Sequence, residues 1–284
     1  MIITLKGADF SANNIGQVNI ERVLNPYTVA AIEASGNTSL TEAQKFALDD
    51  LFLAMGVDGS NTVMSKMRKL YIPMIGGTVG DAFINYATND FTKDVTPNSA
   101  NWKMQNLGIT KIDTSQPLTT SLSTPITQYN ITALWLRTEN MVSGTDDTND
   151  VFYIRGVTDT TKFMSEREGS ATSNTKIEWQ NSGYSTRPFI NKSVEQRITT
   201  GFCLRSSSDK EIYVYENGNI YPYAGLEATV DMAGESTQTL YLLGKGVVTN
   251  TKPMAFIMLG EGISHDDFLN VRAKVDALYD ALKA

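Results

Sequence analysis

Cysteine and histidine are nearly missing from this chain. Cys203 is the only cysteine, which excludes an intrachain disulfide and any zinc site built on thiolates. His265 is the only histidine, so a catalytic triad or a histidine metal centre would have to be built around it. It falls in the first turn of the expected C-terminal helix, where the macrodipole disfavours an imidazolium, and it reads as a surface position. No apolar run approaches the roughly 18–20 residues that a membrane helix needs. The opening MIITLKGADFSANN lacks an apolar core followed by a cleavage site. No secretory leader is therefore expected, and the chain is expected to be soluble and made in the cytosol. Positive charge is also short, with 24 Lys and Arg against 31 Asp and Glu, a net charge of −7. That balance argues against broad nucleic-acid binding, which needs a basic footprint.

What is present is enough for a large core. Of 284 residues, 41% are hydrophobic, which excludes wholesale disorder. The N-terminal part reads as a strand, MIITLKG, a polar loop, and then helices. NPYTVAAIEA opens a short one. SGNTSLTEAQKFALDDLFLAMG carries a stronger signal, with a capping box from Ser39 and Glu42 or from Thr41 and Gln44. Leu48, Leu51, Phe52 and Met55 recur there at helical spacing, and Gly56 is placed to stop the helix. A further short helix is expected over Asn61 to Arg68. From Leu70 the pattern becomes strands and turns: ITALWLRT, VFYIRGV, KIEWQ, ITTGFCLRSS, EIYVYE, NIYPY, TQTLYLLG and MAFIMLGEG. Short strands separated by Ser, Thr, Asn, Gly and Asp predict a mainly β protein, an antiparallel sandwich or barrel. A last helix is expected over 264–283. Ser264 and Asp267 cap it, and Phe268, Val271, Val275, Leu278, Tyr279 and Leu282 lie along one face. The predicted division is an N-terminal module, 1–69, and a sandwich with its C-terminal helix, 70–284.

EIYVYENGNIYPY is the sharpest local signal, because Asn217-Gly218 suits the type I′ turn of a two-residue hairpin loop. That loop pairs Tyr215 with Ile220, Val214 with Tyr221 and Ile212 with Tyr223. Ile212, Val214, Tyr221 and Tyr223 then share one face, and Tyr213, Tyr215, Ile220 and Pro222 share the other. One face belongs to the inter-sheet core. The other is covered by protein, or it forms a tyrosine platform for sugar rings; Tyr213, Tyr215, Tyr221 and Tyr223 are the candidate glycan-binding residues.

Other clusters carry less chemistry. Asp146, Asp147 and Asp150 crowd hard oxygen ligands into TDDTND and make a candidate Ca²⁺ site, although the spacing fits no EF-hand loop. The alternative is a plain polar hairpin tip, and no other cofactor is implied. Glu166 and Glu168 in SEREG imitate paired glycosidase carboxylates but depart from the E-x-D-x-x-E pattern of sugar-cleaving sandwich enzymes, and they read as a solvated loop. Cys203, inside GFCL, reads as a small core residue with no basic partner. Gly76-Gly77-Thr78-Val79-Gly80 lacks the Lys-Ser/Thr of a phosphate loop and reads as a turn. Trp135, between Leu134 and Leu136, is expected inside. The expected core is Leu134, Leu136, Phe152, Ile154, Phe202, Val214, Leu240, Leu242, Phe256 and Met258.

GFCLRSSSDKEIYVYENGNIYP resembles the strand, Arg-Ser-Ser and Asn-Gly hairpin of concanavalin-like, laminin-G-like jelly rolls. MAFIMLGEGISHDDFLNVRAKVDALYDAL is similar to their final strand and closing helix. MIITLKGADFSANNIG, LYIPMIGGTVGDAFINYAT and VTPNSANWKM together resemble virion proteins of tailed phages of gut Bacteroides-type hosts, including crAss-like phages. The resemblance implies a jelly-roll β-sandwich in a non-catalytic fibre, appendage or capsid-decoration protein located on the virion. It implies docking on other virion proteins through the N-terminal module and self-association, with a homotrimer as the fibre analogy. The alternative is a lectin-like adhesin on the same scaffold that binds a host surface glycan. Neither reading involves membrane insertion.

Overall fold

A computed structural model describes residues 22–112, 118–127, 130–139, 149–158, 163–168, 174–181, 184–186, 189–191, 200–205, 212–216, 219–223, 235–243 and 253–284. For 149–151, and for the strands between 163 and 223, it gives the backbone path and pairing. Four α-helices are α1 (Pro26–Ser35), α2 (Glu42–Ala54), α3 (Val63–Lys66) and α4 (His265–Lys283). The strands in chain order are β1 (Met67–Tyr71), β2 (Trp102–Gln105), β3 (Gly108–Lys111), β4 (Leu118–Leu122) and β5 (Ile131–Arg137). Then come β6 (Asn149–Gly156), β7 (Phe163–Glu168), β8 (Asn174–Asn181), β9 (Tyr184–Thr186) and β10 (Phe189–Asn191). The series ends with β11 (Thr200–Arg205), β12 (Ile212–Glu216), β13 (Asn219–Tyr223), β14 (Gln238–Leu242) and β15 (Met254–Gly260).

These strands form an antiparallel β-sandwich. The first sheet has eight strands in the order β13-β12-β11-β5-β15-β3-β2, with β1 also on β15. The second has seven in the order β10-β8-β7-β6-β14-β4, with β9 on β8. Between the sheets, Ile131, Ala133, Trp135, Ile257 and Leu259 of the first meet Phe152, Ile154, Leu240 and Leu242 of the second. Trp135 and Phe152 meet edge to face across the gap, centroids 6.5 Å apart.

The first sheet is also sealed on its outer face. Every residue of β5 and β15 is buried. Leu134, Leu136, Phe256 and Met258 point away from the second sheet into another core, shared with Leu48, Leu51 and Phe52 of α2 and with Phe268, Val271, Val275 and Leu278 of α4. A bulge between Met254 and Phe256 resets the alternation, so Ala255 and Phe256 both join the helical side. Eight of the expected core residues are therefore buried, four toward each side. Trp135 is inside as expected. The side chains of Phe202 and Val214 lie outside the described residues.

Local sequence explains the helical layer. Asn25 caps α1 by accepting from the Tyr27 amide, Pro26 fills the first turn, and Gly36 closes the helix at φ 66°. Of the two possible boxes on α2, Thr41 and Gln44 make it: Gln44 N donates to Thr41 Oγ1 at 3.3 Å, and Thr41 N to Gln44 Oε1 at 2.9 Å. On α4, Asp267 N donates to Ser264 Oγ at 3.1 Å. The helix expected over 61–68 spans only Val63–Lys66, because Met67 to Tyr71 pair with Gly260 to Ile257 and extend the sheet instead. SERE of SEREG lies in β7, not in a loop, since β6 and β8 supply ladder partners on both sides.

Residue 70, where the sandwich was expected to begin, lies within β1, and the core beneath α2 and α4 is built from both sides of it. A buried polar group fastens α1 to α2 within the helical layer. Asp49, 2% exposed, accepts from Asn25 N (2.8 Å), Thr28 Oγ1 (2.7 Å) and Arg22 Nη2 (3.0 Å). Deleting residues 1–69 is expected to remove the cooperative thermal transition, because it uncovers Leu134, Leu136, Phe256, Met258 and Phe268 together. A truncated chain that stays soluble and melts cooperatively would contradict a shared core.

Candidate functional site

Strand alternation gives the second sheet two different faces. On β14, Gln238, Leu240 and Leu242 are buried while Thr239 and Tyr241 are half-buried. On β6, Phe152 and Ile154 enter the inter-sheet core, leaving Tyr153 and Arg155 on the outer side. On β4, Thr119 and Ser121 are exposed. Register joins these positions, since Tyr241 lies opposite both Thr119 and Tyr153, and Thr239 lies opposite both Ser121 and Arg155. No helix packs on this side among the described residues, in contrast to the outer face of the first sheet.

An aromatic pair anchors this face. The Tyr153 and Tyr241 rings meet edge to face with centroids 5.4 Å apart. Tyr153 is 5% exposed, so it works as a prop, and Tyr241 is the more accessible partner. Thr119 is the cross-strand neighbour of Tyr241 on β4, and Ser121, Thr239 and Arg155 occupy the next row of positions on the same three strands. A half-exposed ring among short hydroxyl side chains offers a stacking surface together with donors and acceptors. That combination suits a ligand that is apolar on its flat side and polar on its rim.

The end of the face is held by a buried clamp. Gln238 is fully buried and bonds Ile126 twice: Ile126 N donates to Oε1 at 2.9 Å, and Nε2 donates to Ile126 O at 2.8 Å. This fixes the segment that leaves β4 next to Ser121. Glu235, 5% exposed, accepts from Thr158 N at 2.9 Å and pins the chain that leaves β6 after Gly156.

The hairpin tyrosines lie in the other sheet. Register pairs Tyr215 with Ile220, Val214 with Tyr221 and Ile212 with Tyr223, as the Asn-Gly turn predicts. Through β11, Val214 aligns with Cys203 and then with Ala133, an inter-sheet core residue. Tyr221 and Tyr223 therefore occupy positions on the inter-sheet side. Tyr213 and Tyr215 align with Leu204 and Phe202 and then with Thr132 and Leu134, on the helical side. Pro222 sits on the edge strand β13, where a missing N–H costs no ladder bond. The side chains of all four tyrosines lie outside the described residues, and their alternation divides them two and two between opposite faces.

Asp146 and Asp147 also lie outside the described residues, and Asp150 is placed only by its pairing with Arg167. No group of three or more His, Cys, Asp or Glu side chains is clustered for a metal among the described residues. His265 is half-buried in the first turn of α4, between the exposed Ser264 and Asp266. The Gly76–Gly80 stretch is a turn as expected, with a short 3₁₀ segment at Val79–Asp81.

The signal for the outer face was present in VFYIRG and TQTLYLLG, where Tyr153, Arg155, Thr239 and Tyr241 alternate with core residues. Their adjacency was not, because β6 and β14 are more than eighty residues apart and become neighbours only in the folded sheet.

No protein-family model and no curated protein matches the chain. Among solved structures it is similar to domain 4 of an extracellular arabinanase from Geobacillus stearothermophilus in complex with arabinotriose, at 12% identity and TM-score 0.48, covering 72% of this chain and 98% of that one. It is similar to the CBM40 of the Ruminococcus gnavus IT-sialidase at 11% identity and TM-score 0.39, covering 57% of this chain and 95% of that one. It is also similar to the Trypanosoma rangeli sialidase in complex with sialic acid, at 11% identity and TM-score 0.48, covering 75% of this chain but only 34% of that one. At these values the likeness concerns the β-sandwich and carries no argument about ligands.

Tyr153→Ala is expected to destabilise the fold by about 3–5 kcal/mol, as loss of a large buried ring does. Thr119→Ala and Ser121→Ala should stay within about 0.5 kcal/mol of the parent, as exposed sites do. Urea unfolding checks all three, and a large loss at Thr119 would mean that this face is packed against protein.

Proposed function

We propose that this chain is a non-catalytic carbohydrate-recognition module displayed on a tailed-phage particle. The carbohydrate part rests on one observation: the helices seal one outer face of the sandwich, while the other keeps Tyr241 on its Tyr153 prop, ringed by Thr119, Ser121, Thr239 and Arg155. A sugar ring stacks its C–H face on an aromatic side chain and hydrogen-bonds at its edge, and this face offers both. The phage part rests on the resemblance of MIITLKGADFSANNIG and LYIPMIGGTVGDAFINYAT to virion proteins. Calcium held by Asp146, Asp147 and Asp150 belongs to the proposal as a support of binding.

A second reading, a purely structural virion component, is favoured by the helical side. Val23 and Val29 are 58% and 41% exposed there, where the described chain begins. Apolar groups at that point suit docking on another virion protein or on further copies of this chain, with a trimer as the fibre analogy.

Binding of labelled protein to intact host cells and to their extracted capsular polysaccharide, with calcium and with a chelator, separates the readings. Saturable binding that weakens at least about tenfold, or ~1.4 kcal/mol, in Tyr241→Ala is expected. Tyr213→Ala and Tyr215→Ala should leave it unchanged. Loss only in the hairpin variants would move the site to β12 and β13, and no binding under any condition would leave the structural reading.

A further inference from the structure

We infer that Lys69 and Asp94 become joined by an intramolecular amide bond, which staples β1 to the segment that follows residue 84. This goes beyond the recognition role and does not depend on what the outer face binds. The observation is an amine and a carboxylate held together away from water. Lys69 Nζ lies 2.7 Å from Asp94 Oδ2, with the two side chains 8% and 14% exposed. Tyr71, on the same face of β1, donates its hydroxyl to that same oxygen at 2.8 Å. The Tyr71 ring is fully buried and meets Phe83 edge to face, centroids 5.3 Å apart. Val95, next to Asp94, packs against the same inter-sheet core. The pairs Lys93–Asp81 and Lys274–Asp50 lack this shielding. Lys93 reaches Asp81 at 2.6 Å with almost half of its side chain in water, and Lys274 lies 3.5 Å from Asp50 with more than a third of each side chain exposed.

An ammonium and a carboxylate in such surroundings are costly, because both charges have left water. Passing one proton from Nζ to the carboxylate neutralises both at once and leaves a free amine beside a carboxylic acid. A desolvated lysine amine is a nucleophile, and its fixed position replaces a collision with an intramolecular step. The Nζ lone pair attacks Cγ, so that the N–C bond forms while the C=O electrons move onto Oδ2. Burial holds the Tyr71 hydroxyl well above the usual tyrosine range, so it stays protonated and stabilises the charge on Oδ2. Oδ1, carrying the first proton and a second one from Nζ, leaves as water when the C–Oδ1 bond breaks and the carbonyl re-forms. One ammonium and one carboxylate thus give one amide and one water, with no oxidant or cofactor. The product removes two buried charges. It also closes a covalent loop in a chain whose single cysteine excludes an intrachain disulfide, and such a link restricts the unfolded chain.

Intact-mass spectrometry of the denatured full chain, followed by peptide mapping, tests this. The chain is expected to be one water lighter than its sequence mass, with the peptides that contain Lys69 and Asp94 joined in the map. Lys69→Arg and Asp94→Ala should each restore the full sequence mass. In a time course of cell-free synthesis, Tyr71→Phe is expected to lose the water at least about tenfold more slowly than the parent. A parent chain at its full sequence mass would overturn the inference and leave a plain buried ion pair. Water loss confined to one unbranched peptide, as a succinimide at Asp58-Gly59 would give, would overturn it equally. A Tyr71→Phe chain that loses water as fast as the parent would overturn the role given to that hydroxyl.

Discussion

Burial of β5 and β15 on both faces is the constraint on which the rest of this structure depends. A sheet that closes a sandwich ordinarily presents polar residues to water on its outer side. Here the central strands carry Leu134, Leu136, Phe256 and Met258 outward, and each is buried. At roughly 25 cal/mol per Å² of apolar surface, leaving four large side chains in water would forgo several kcal/mol, a large part of ordinary domain stability. The helices answer that requirement. The N-terminal α1 and α2 and the C-terminal α4 meet over the same strands, so the two ends of the described chain close one core.

Polar contacts then fix how the layers sit. Lys69 of β1, 7% exposed, donates to Asp94 at 2.7 Å and to Thr120 of β4 at 3.4 Å, which links the first sheet to the second through the segment after residue 84. Tyr71 donates to the same Asp94 oxygen at 2.8 Å, and burial holds its hydroxyl well above the usual tyrosine range. A buried pair of this kind is weak evidence for net stability, but removing one partner strands the other charge. Gly260 shows how closely β1 and β15 approach, since a Cβ there would lie 2.5 Å from the Lys66 carbonyl oxygen. The result is a helical layer locked to the first sheet, with no helix among the described residues on the outer face of the second.

Much of this was legible in the residues. Thr41 with Gln44, Ser264 with Asp267, and Asn217-Gly218 each encode their geometry within a few positions, and the helix caps and hairpin register follow from them. The mainly antiparallel sandwich followed from many short strands between turn residues. What could not be read depends on strand order. ITALWLR is apolar from Ala133 to Leu136 on both faces, so periodicity alone did not say that Leu134 and Leu136 would meet helices from both ends of the described chain. Met67 and Arg68 fall within the expected helix, and the pairing of Met67 and Lys69 with β15, with Arg68 bulged between them, makes them strand. The hairpin tyrosines drew attention because four of them are close in sequence, whereas Tyr153 and Tyr241 become neighbours only through the β6–β14 ladder.

One outer face is covered by helices, and the proposed function places sugar recognition on the other. Backbone amide mapping by nuclear magnetic resonance during titration with soluble capsular polysaccharide tests that division most directly. The account predicts that the shifted amides cluster on β4, β14 and β6 around Tyr241, with α2 and α4 unmoved. Shifts confined to the helices, or to β12 and β13, would contradict it.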